Sequence, residues 1–126
     1  MVLNIGSEEC FVVGEYKEIY NKLTGSTLPC RSIFQSDGLS THIRKRHPEC
    51  IPYLKDISDI LSSPDYIGVN PNESMSVEYV KRLDVNLLVA VKLDVQNNYL
   101  YVASMYNISE GKIARRVHSG RLIKIS

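Results

Sequence analysis

The stretch Leu87–Tyr106, LLVAVKLDVQNNYLYVASMY, decides the fold of this 126-residue chain. Its first part, Leu87–Val95, is a nearly continuous apolar run with one lysine, and such a run predicts a central strand. Gln96-Asn97-Asn98 is typical of a hairpin turn, and Tyr99–Tyr106 then predicts the returning antiparallel strand. The second half of the chain is therefore expected to form an antiparallel meander.

The first half of the chain changes to a helical period. Apolar residues recur at helical spacing in Tyr16–Leu23, and Gly25 is expected to end that helix. A later helix is expected to start at Pro52, with its apolar side in Tyr53–Leu61. Shorter apolar or alternating runs predict strands at Cys10–Val13, Cys30–Gln35, Tyr66–Val69, Met75–Leu83 and Leu122–Ile125.

Helices that precede an antiparallel meander indicate an α+β fold. The segment Ser109–His118 fits either a helix or a strand, although Ser109 as a cap and Gly120 as a stop favour a helix. A length of 126 residues and the lack of linker-like stretches predict a single domain over residues 1–126.

Charge is unevenly distributed along the chain, although the net formal charge is only +1. Residues 38–55 carry +3 and residues 112–126 carry +5, whereas residues 1–37 carry −2 and residues 56–111 carry −5. Two basic segments in an otherwise acidic chain predict a positive patch for a phosphate-bearing partner if they meet in space. The alternative is that the two basic segments lie on separate solvent-exposed faces.

No apolar run approaches the roughly 18 residues that a membrane span needs, and the first residues lack the pattern of a signal peptide. We therefore expect a soluble, cytoplasmic protein. Three cysteines far apart in sequence fit reduced thiols better than a disulfide framework or a zinc site: Cys10, Cys30 and Cys50.

The first basic segment is Leu39–Cys50, LSTHIRKRHPEC, which holds two of the three histidines and three consecutive cations. Ser36 or Asp37 can cap a helix here. Pro48 is expected to end it at His47, because the residue before a proline disfavours helical geometry.

On an ideal helix Leu39 and Ile43 mark the buried side of this segment, and both histidines lie at the border with water. His42 and His47 then diverge by about 140°, unlike the i, i+4 pair that shares a metal, so no metal site or other cofactor is predicted. Glu49 is the one carboxylate within this segment.

Metal-free cleavage of RNA is a reaction that these residue types can perform. The 2′-hydroxyl of RNA is the nucleophile, so the protein needs a group that accepts a proton, a group that donates one, and positive charge around phosphorus. Histidine serves in either proton role near neutral pH, while arginine, lysine and hydroxyl groups stabilise the developing charge. The segment LSTHIRKRH offers all of these groups, and the basic segment Lys112–Arg121 can close over the same phosphate.

Four segments together resemble a phage-associated nuclease-like family of the barnase–EndoU–colicin–RelE (BECR) superfamily: VVGEYKEIYNKLTG, SDGLSTHIRKRHPEC, LKDISDILSSPDYIG and SMYNISEGKIARRVHSGRLIKI. The resemblance covers residues 11–125 or nearly so. It implies helices packed on an antiparallel sheet of about four strands and a metal-independent endoribonuclease activity. Members of the family often lie inside larger toxin or phage proteins, whereas this chain is expected to be free-standing.

Site residues follow from the resemblance and from the basic segments. The resemblance implies catalytic roles for His42, Arg46 and His47, and less directly for Lys112 and for Ser104 or Tyr106. His42 is predicted as the general base and His47 as the general acid, although the exchanged assignment fits almost equally well. The remaining cations of the two segments are candidates for substrate binding: Arg44, Lys45, Arg115, Arg116 and Arg121.

The leading hypothesis is thus a toxin-type or phage-effector endoribonuclease acting on RNA such as tRNA or mRNA. An acidic immunity or antitoxin protein over the basic patch is the partner that the family habit implies. The alternative is a non-catalytic module that holds nucleic acid or an acidic protein on the same surface. A small-molecule enzyme of the same fold has no positive support in the sequence, which also leaves the oligomeric state open.

Overall fold

A computed structural model describes residues 2–5 and 8–125 of the chain. In these residues one sheet of eight strands is combined with four α-helices. The strands are β1 Val2–Ile5, β2 Glu8–Glu15, β3 Ser32–Ser36, β4 Tyr66–Gly68, β5 Ser76–Arg82, β6 Asn86–Asp94, β7 Tyr99–Asn107 and β8 Leu122–Lys124. The helices are α1 Glu18–Thr24, α2 Gly38–Arg46, α3 Ile57–Ser62 and α4 Glu110–His118, with a 3₁₀ helix at Pro48–Asp56 between α2 and α3.

The α+β class is confirmed, but the expected order of helices before an antiparallel sheet of about four strands is wrong. The strand order is β1-β2-β3-β7-β6-β5-β4-β8, three strands precede α2 in the chain, and α4 follows the run of strands β4 to β7. Neighbouring strands are antiparallel except β3 and β7, which pair in parallel. The short N-terminal runs carry no signal for this pairing, because their partner lies more than sixty residues later in the sequence.

The hairpin predicted from Leu87–Tyr106 is present as β6 and β7, which pair along their whole length. A bulge shifts the register between Ala90 and Val91 of β6, so that Ala90 pairs with Ser104 and Val91 with Val102. Ala103 is the extra residue of the bulge. Because of this shift, Ser104 points to the face opposite the buried Met105.

The two faces of the sheet carry separate apolar clusters. On the first face, α1, α2 and α3 pack over a large core that includes Tyr20, Ile43 and Ile60. On the second face, Ile113 of α4 packs in a smaller cluster that includes Leu88 of β6. None of the helices in the described ranges is long and apolar enough to cross a bilayer.

The structure resolves one open helix prediction and changes another. The ambiguous segment Ser109–His118 forms α4, whose backbone N–H at Lys112 donates to the Ser109 hydroxyl at 3.1 Å. The helix expected to start at Pro52 begins instead with the 3₁₀ helix at Pro48, which contains Pro52, and continues into α3. A second proline four residues after the first leaves two backbone positions without a donor, which favours the tighter 3₁₀ turns over a regular helix.

Gly68 in β4 allows the close approach of the chain just before β8. A Cβ at this position would overlap the carbonyl oxygen of Arg121, a backbone atom that moves only if β8 moves. We therefore expect Gly68→Ala to lower the free energy of unfolding by about 1–3 kcal/mol or more, measured by urea denaturation.

Gly111→Ala is the matched control for this substitution. Gly111 lies in α4, and a Cβ at this position would meet only the far end of the flexible Arg115 side chain, at 3.8 Å. Alanine there should raise the free energy of unfolding by up to about 1 kcal/mol, because it favours the helix. Equal effects of the two substitutions would contradict the close packing assigned to Gly68.

Candidate active site

The break between α2 and the 3₁₀ helix positions both histidines of the basic segment. His47 closes α2 with its backbone N–H on the Ile43 carbonyl at 2.7 Å, but its φ of −142° and ψ of 61° are not helical. Pro48 accounts for this geometry, since it disfavours the helical conformation at the residue before it. The ring centroids of His42 and His47 consequently lie 6.4 Å apart. The divergence expected from an ideal helix is therefore wrong.

His42 extends from α2 toward β7. Its Nε2 lies 3.2 Å from the Ser104 hydroxyl, and which of the two donates depends on the tautomer of the imidazole. Ser104 reaches this position because the bulge at Ala103 turns it to the second face. The hydrogen bond holds the His42 ring over the sheet.

His47 packs against a tyrosine at the end of β7. Its ring centroid lies 5.4 Å from that of Tyr106, and its Nδ1 lies 4.0 Å from a carboxylate oxygen of Glu49. The Tyr106 hydroxyl donates to Glu78 over 3.5 Å. Burial, followed by the charge of Glu78, raises the pKa of Tyr106, so its hydroxyl stays protonated as a donor at neutral pH.

Glu78 forms the buried centre of a charge cluster under Tyr106, with only 2% of the residue exposed. Arg121 donates to its carboxylate through Nε at 3.0 Å and a terminal nitrogen at 2.9 Å, and Arg116 Nη1 lies 3.9 Å away. The hydrogen bonds from Arg121 to Glu78 raise the pKa of the guanidinium. Two cations around one carboxylate give this cluster a formal charge of +1.

Most of these groups border one cleft of about 300 Å³ on the second face. Five of the candidate catalytic residues line it, three from the basic segment and two from β7: His42, Arg46, His47, Ser104 and Tyr106. The strands and loop of its floor and far wall contribute Asn70, Glu73, Ser76, Glu78, Ala90, Lys92 and Ala103.

The other candidate residues do not line this cleft. Lys112 has an exposed side chain on α4, one turn before Arg116, and Arg44 and Lys45 are exposed on α2. Arg115, Arg116 and Arg121 line a second groove of about 570 Å³ beside Val69 and Pro71. Arg116 and Arg121 pair with Glu78, which lines the cleft, so these two cations of the second basic segment lie beside the cleft that holds His42 and His47.

Seven of the lining residues were not predicted from the sequence, and two of these carried a usable signal. Lys92 is the single lysine of the apolar run in β6, and Glu78 is a lone acid between Val77 and Tyr79 in β5. A charged residue within a buried strand is costly unless it is paired, so it marks a functional or structural cluster. Glu78 also supplies a buried carboxylate to the site, whereas the sequence analysis pointed only to Glu49.

A family model described as "phage-Barnase-EndoU-ColicinE5/D-RelE like nuclease3" matches residues 11–115, which is most of the chain. The chain belongs to this nuclease family. The match spans the basic helix, the β6–β7 hairpin and the first half of α4, so it includes every residue that lines the cleft.

No curated protein and no solved structure matches the nuclease-family chain. Within the described ranges, no three histidine, cysteine, aspartate or glutamate residues group in a way that holds a metal ion. The groups that the cleft offers for chemistry are imidazoles, hydroxyls, cations and the carboxylates of Glu73 and Glu78.

The buried charge cluster gives a direct test of the cleft floor. Glu78→Ala removes the carboxylate that compensates Arg121 and Arg116, and uncompensated buried charge costs about 3–5 kcal/mol of stability. Urea denaturation should show a loss of this size.

Glu73→Ala provides the matched control, because Glu73 also lines the cleft but pairs with Lys92 at 3.3 Å while 48% of its side chain is exposed. Its removal should change the free energy of unfolding by no more than about 1 kcal/mol. Comparable losses for both variants would show that Glu78 is not the centre of the floor.

Proposed function

We propose that this protein is a metal-independent endoribonuclease that cleaves RNA phosphodiester bonds by acid–base catalysis. The observation that supports it most is the approach of His42 and His47 to 6.4 Å between ring centroids in one cleft. Membership of the nuclease family supports cleavage of nucleic acid. The choice of RNA follows from the reaction, because its 2′-hydroxyl supplies the nucleophile that the chain itself does not offer.

In the proposed reaction the 2′-oxygen forms a bond to phosphorus while the bond to the 5′-oxygen breaks. His42 takes the proton of the 2′-hydroxyl, and His47 gives a proton to the leaving 5′-oxygen. In this proposal the two imidazoles, which line one cleft, act on opposite apical oxygens of one phosphoryl group. The products are a 2′,3′-cyclic phosphate and a 5′-hydroxyl.

The neighbouring groups fit supporting roles. Ser104 orients His42, and Tyr106 packs against His47 and offers a protonated hydroxyl at the floor. Arg46 lines the cleft and is the closest match to a phosphate-stabilising cation from the basic helix. Lys112, whose side chain is exposed on α4, fits a contact to RNA outside the reacting phosphate better than the catalytic role expected from the sequence.

Two histidine substitutions test the mechanism. His42→Ala and His47→Ala should each lower the rate of cleavage of an end-labelled RNA by roughly 10²-fold or more, with and without EDTA. His118→Ala is the matched control: His118 is the third histidine, exposed at the end of α4 and outside the residues that line the cleft, and its loss should leave the rate unchanged. Full cleavage by the His42/His47 double variant would reject the assignment.

A modified substrate separates cleavage from mere binding. An RNA with a 2′-deoxy nucleotide at the mapped cut site should bind normally and remain intact, because the nucleophile is missing. A non-catalytic binding module would instead show affinity that falls with salt and no product from unmodified RNA. Cleavage of the 2′-deoxy substrate at the wild-type rate would contradict the proposed chemistry.

The partner predictions belong to the same proposal. Single-stranded regions of RNA, including tRNA loops, are the substrates that an open cleft on a sheet face can reach. An acidic immunity or antitoxin protein would be expected to cover the cleft and the exposed cations of α2 and α4.

A further inference from the structure

A groove distinct from the one lined by Arg115, Arg116 and Arg121 continues the proposed active-site cleft along β7. It has a volume of about 260 Å³, and two residues, His42 and Ala103, line both the groove and the cleft. Its remaining walls come from β2, the end of β3, the start of α2 and the start of β7. Anything bound in this groove therefore lies directly beside the imidazole proposed to act as the base.

The β7 wall of the groove is aromatic. Tyr99 and Tyr101 are half-buried and point to the second face, because Leu100 and Val102 occupy the core on the first face. Their ring centroids are 5.6 Å apart and their planes are inclined by 39°. Behind them the ring of Phe34 lies 6.2 Å from Tyr99 and is itself almost fully buried, so it supports the outer rings from one side.

Small and apolar residues complete the lining outside β7 and His42: Cys10, Ser36, Gly38 and Leu39. Ser36 and Gly38, at the junction of β3 and α2, are half-buried and face the same groove. Among the described residues that line the groove, none is an acid, a lysine or an arginine, whereas the adjoining cleft has cations. This division of chemistry, with charge beside the imidazoles and rings beyond them, matches the division within a nucleotide between its phosphate and its base.

We propose that this groove is a nucleobase subsite, in which Tyr101 stacks on the base of a nucleotide that flanks the scissile phosphate. The proposal rests on the proposed function, since it places that phosphate between His42 and His47. The Ser36 hydroxyl can contact the edge of the base, but stacking on an aromatic ring accepts any base. The subsite therefore favours single-stranded RNA, whose bases are free to leave a stack, with little sequence preference.

The first test measures binding and does not require cleavage. A single-stranded DNA hexamer, which lacks the 2′-hydroxyl, is compared with a hexamer of equal charge whose bases are all replaced by abasic sites. The wild-type protein should bind the base-containing hexamer about tenfold more tightly or better. Tyr101→Ala should lose most of that preference, and Tyr101→Phe should keep it because the ring remains.

Tyr53→Ala is the control for the loss of a tyrosine as such. Tyr53 packs against the core of the first face and donates to Asp84, away from the groove. Its removal should leave the preference for bases unchanged. Thermal denaturation of each variant shows whether it is folded at the temperature of the assay, and Tyr101→Leu replaces Tyr101→Ala if that variant is not folded.

The second test uses cleavage. RNA substrates carry an abasic nucleotide on one or the other side of the mapped cut site. At one of these two positions the abasic change should lower kcat/KM of the wild-type protein about tenfold and have little further effect on Tyr101→Ala, since both changes remove the same contact. Independent, multiplying losses at both positions would overturn the subsite.

The two tests distinguish the failure of the subsite from the failure of the proposed function. Base-dependent binding that needs Tyr101, without any RNA cleavage, would keep the subsite and reject the nuclease mechanism. Cleavage that depends on His42, with equal affinity for the base-containing and abasic hexamers, would keep the mechanism and overturn the subsite.

Discussion

The parallel pairing of β3 with the start of β7 is the constraint on which the candidate site depends. It joins Ile33 to Leu100 and Phe34 to Tyr101, and β3 then ends at Ser36. The chain turns at once into α2, which packs against β7. This route carries the basic helix to the side of the bulge in β7, where His42 meets Ser104. A longer β3 would occupy that edge of β7 and exclude the helix.

A second constraint is the charge placed inside the sheet. Glu78 lies in β5 between the apolar residues Val77 and Tyr79. Its burial is tolerated because Arg121 and Arg116 surround it. The cluster links β5 to α4 and to the chain before β8, so the second basic segment is held on the face that carries the histidines. A buried ion pair of this kind adds little net stability compared with apolar packing. Its value here lies in fixing the position of positive charge next to Tyr106.

Local signals in the sequence predicted those features that local physics determines. The helical spacing of Tyr16–Leu23 with Gly25 after it indicated α1, and the apolar run with its Asn-rich turn indicated the β6–β7 hairpin. Pro48 marked the end of α2 correctly. The same reasoning failed for the direction of the His47 side chain, because His47 lies outside the helix and an ideal helical wheel does not describe it.

These local signals could not predict which segments far apart in the sequence contact each other. Nothing in Ser32–Ser36 indicates a parallel partner in β7, and β8 reaches the far edge of the sheet through a pairing with a three-residue strand. The second basic segment reaches the cleft through Glu78, whose partners Arg116 and Arg121 follow it much later in the sequence. His42, His47 and Lys112 were predicted to act together, yet the structure places only the two histidines in the cleft.

The position of β8 in the sequence also bears on how the protein is made. Arg121 and β8 leave the ribosome after every other element of the described fold, and β8 adds to an edge of the sheet without displacing another strand. A nascent chain in which β7 and the two histidines are already in place still lacks Arg121, the main cation that pairs with Glu78. Until β8 joins the sheet, therefore, the Glu78 carboxylate in the floor of the cleft lacks the hydrogen bonds from Arg121.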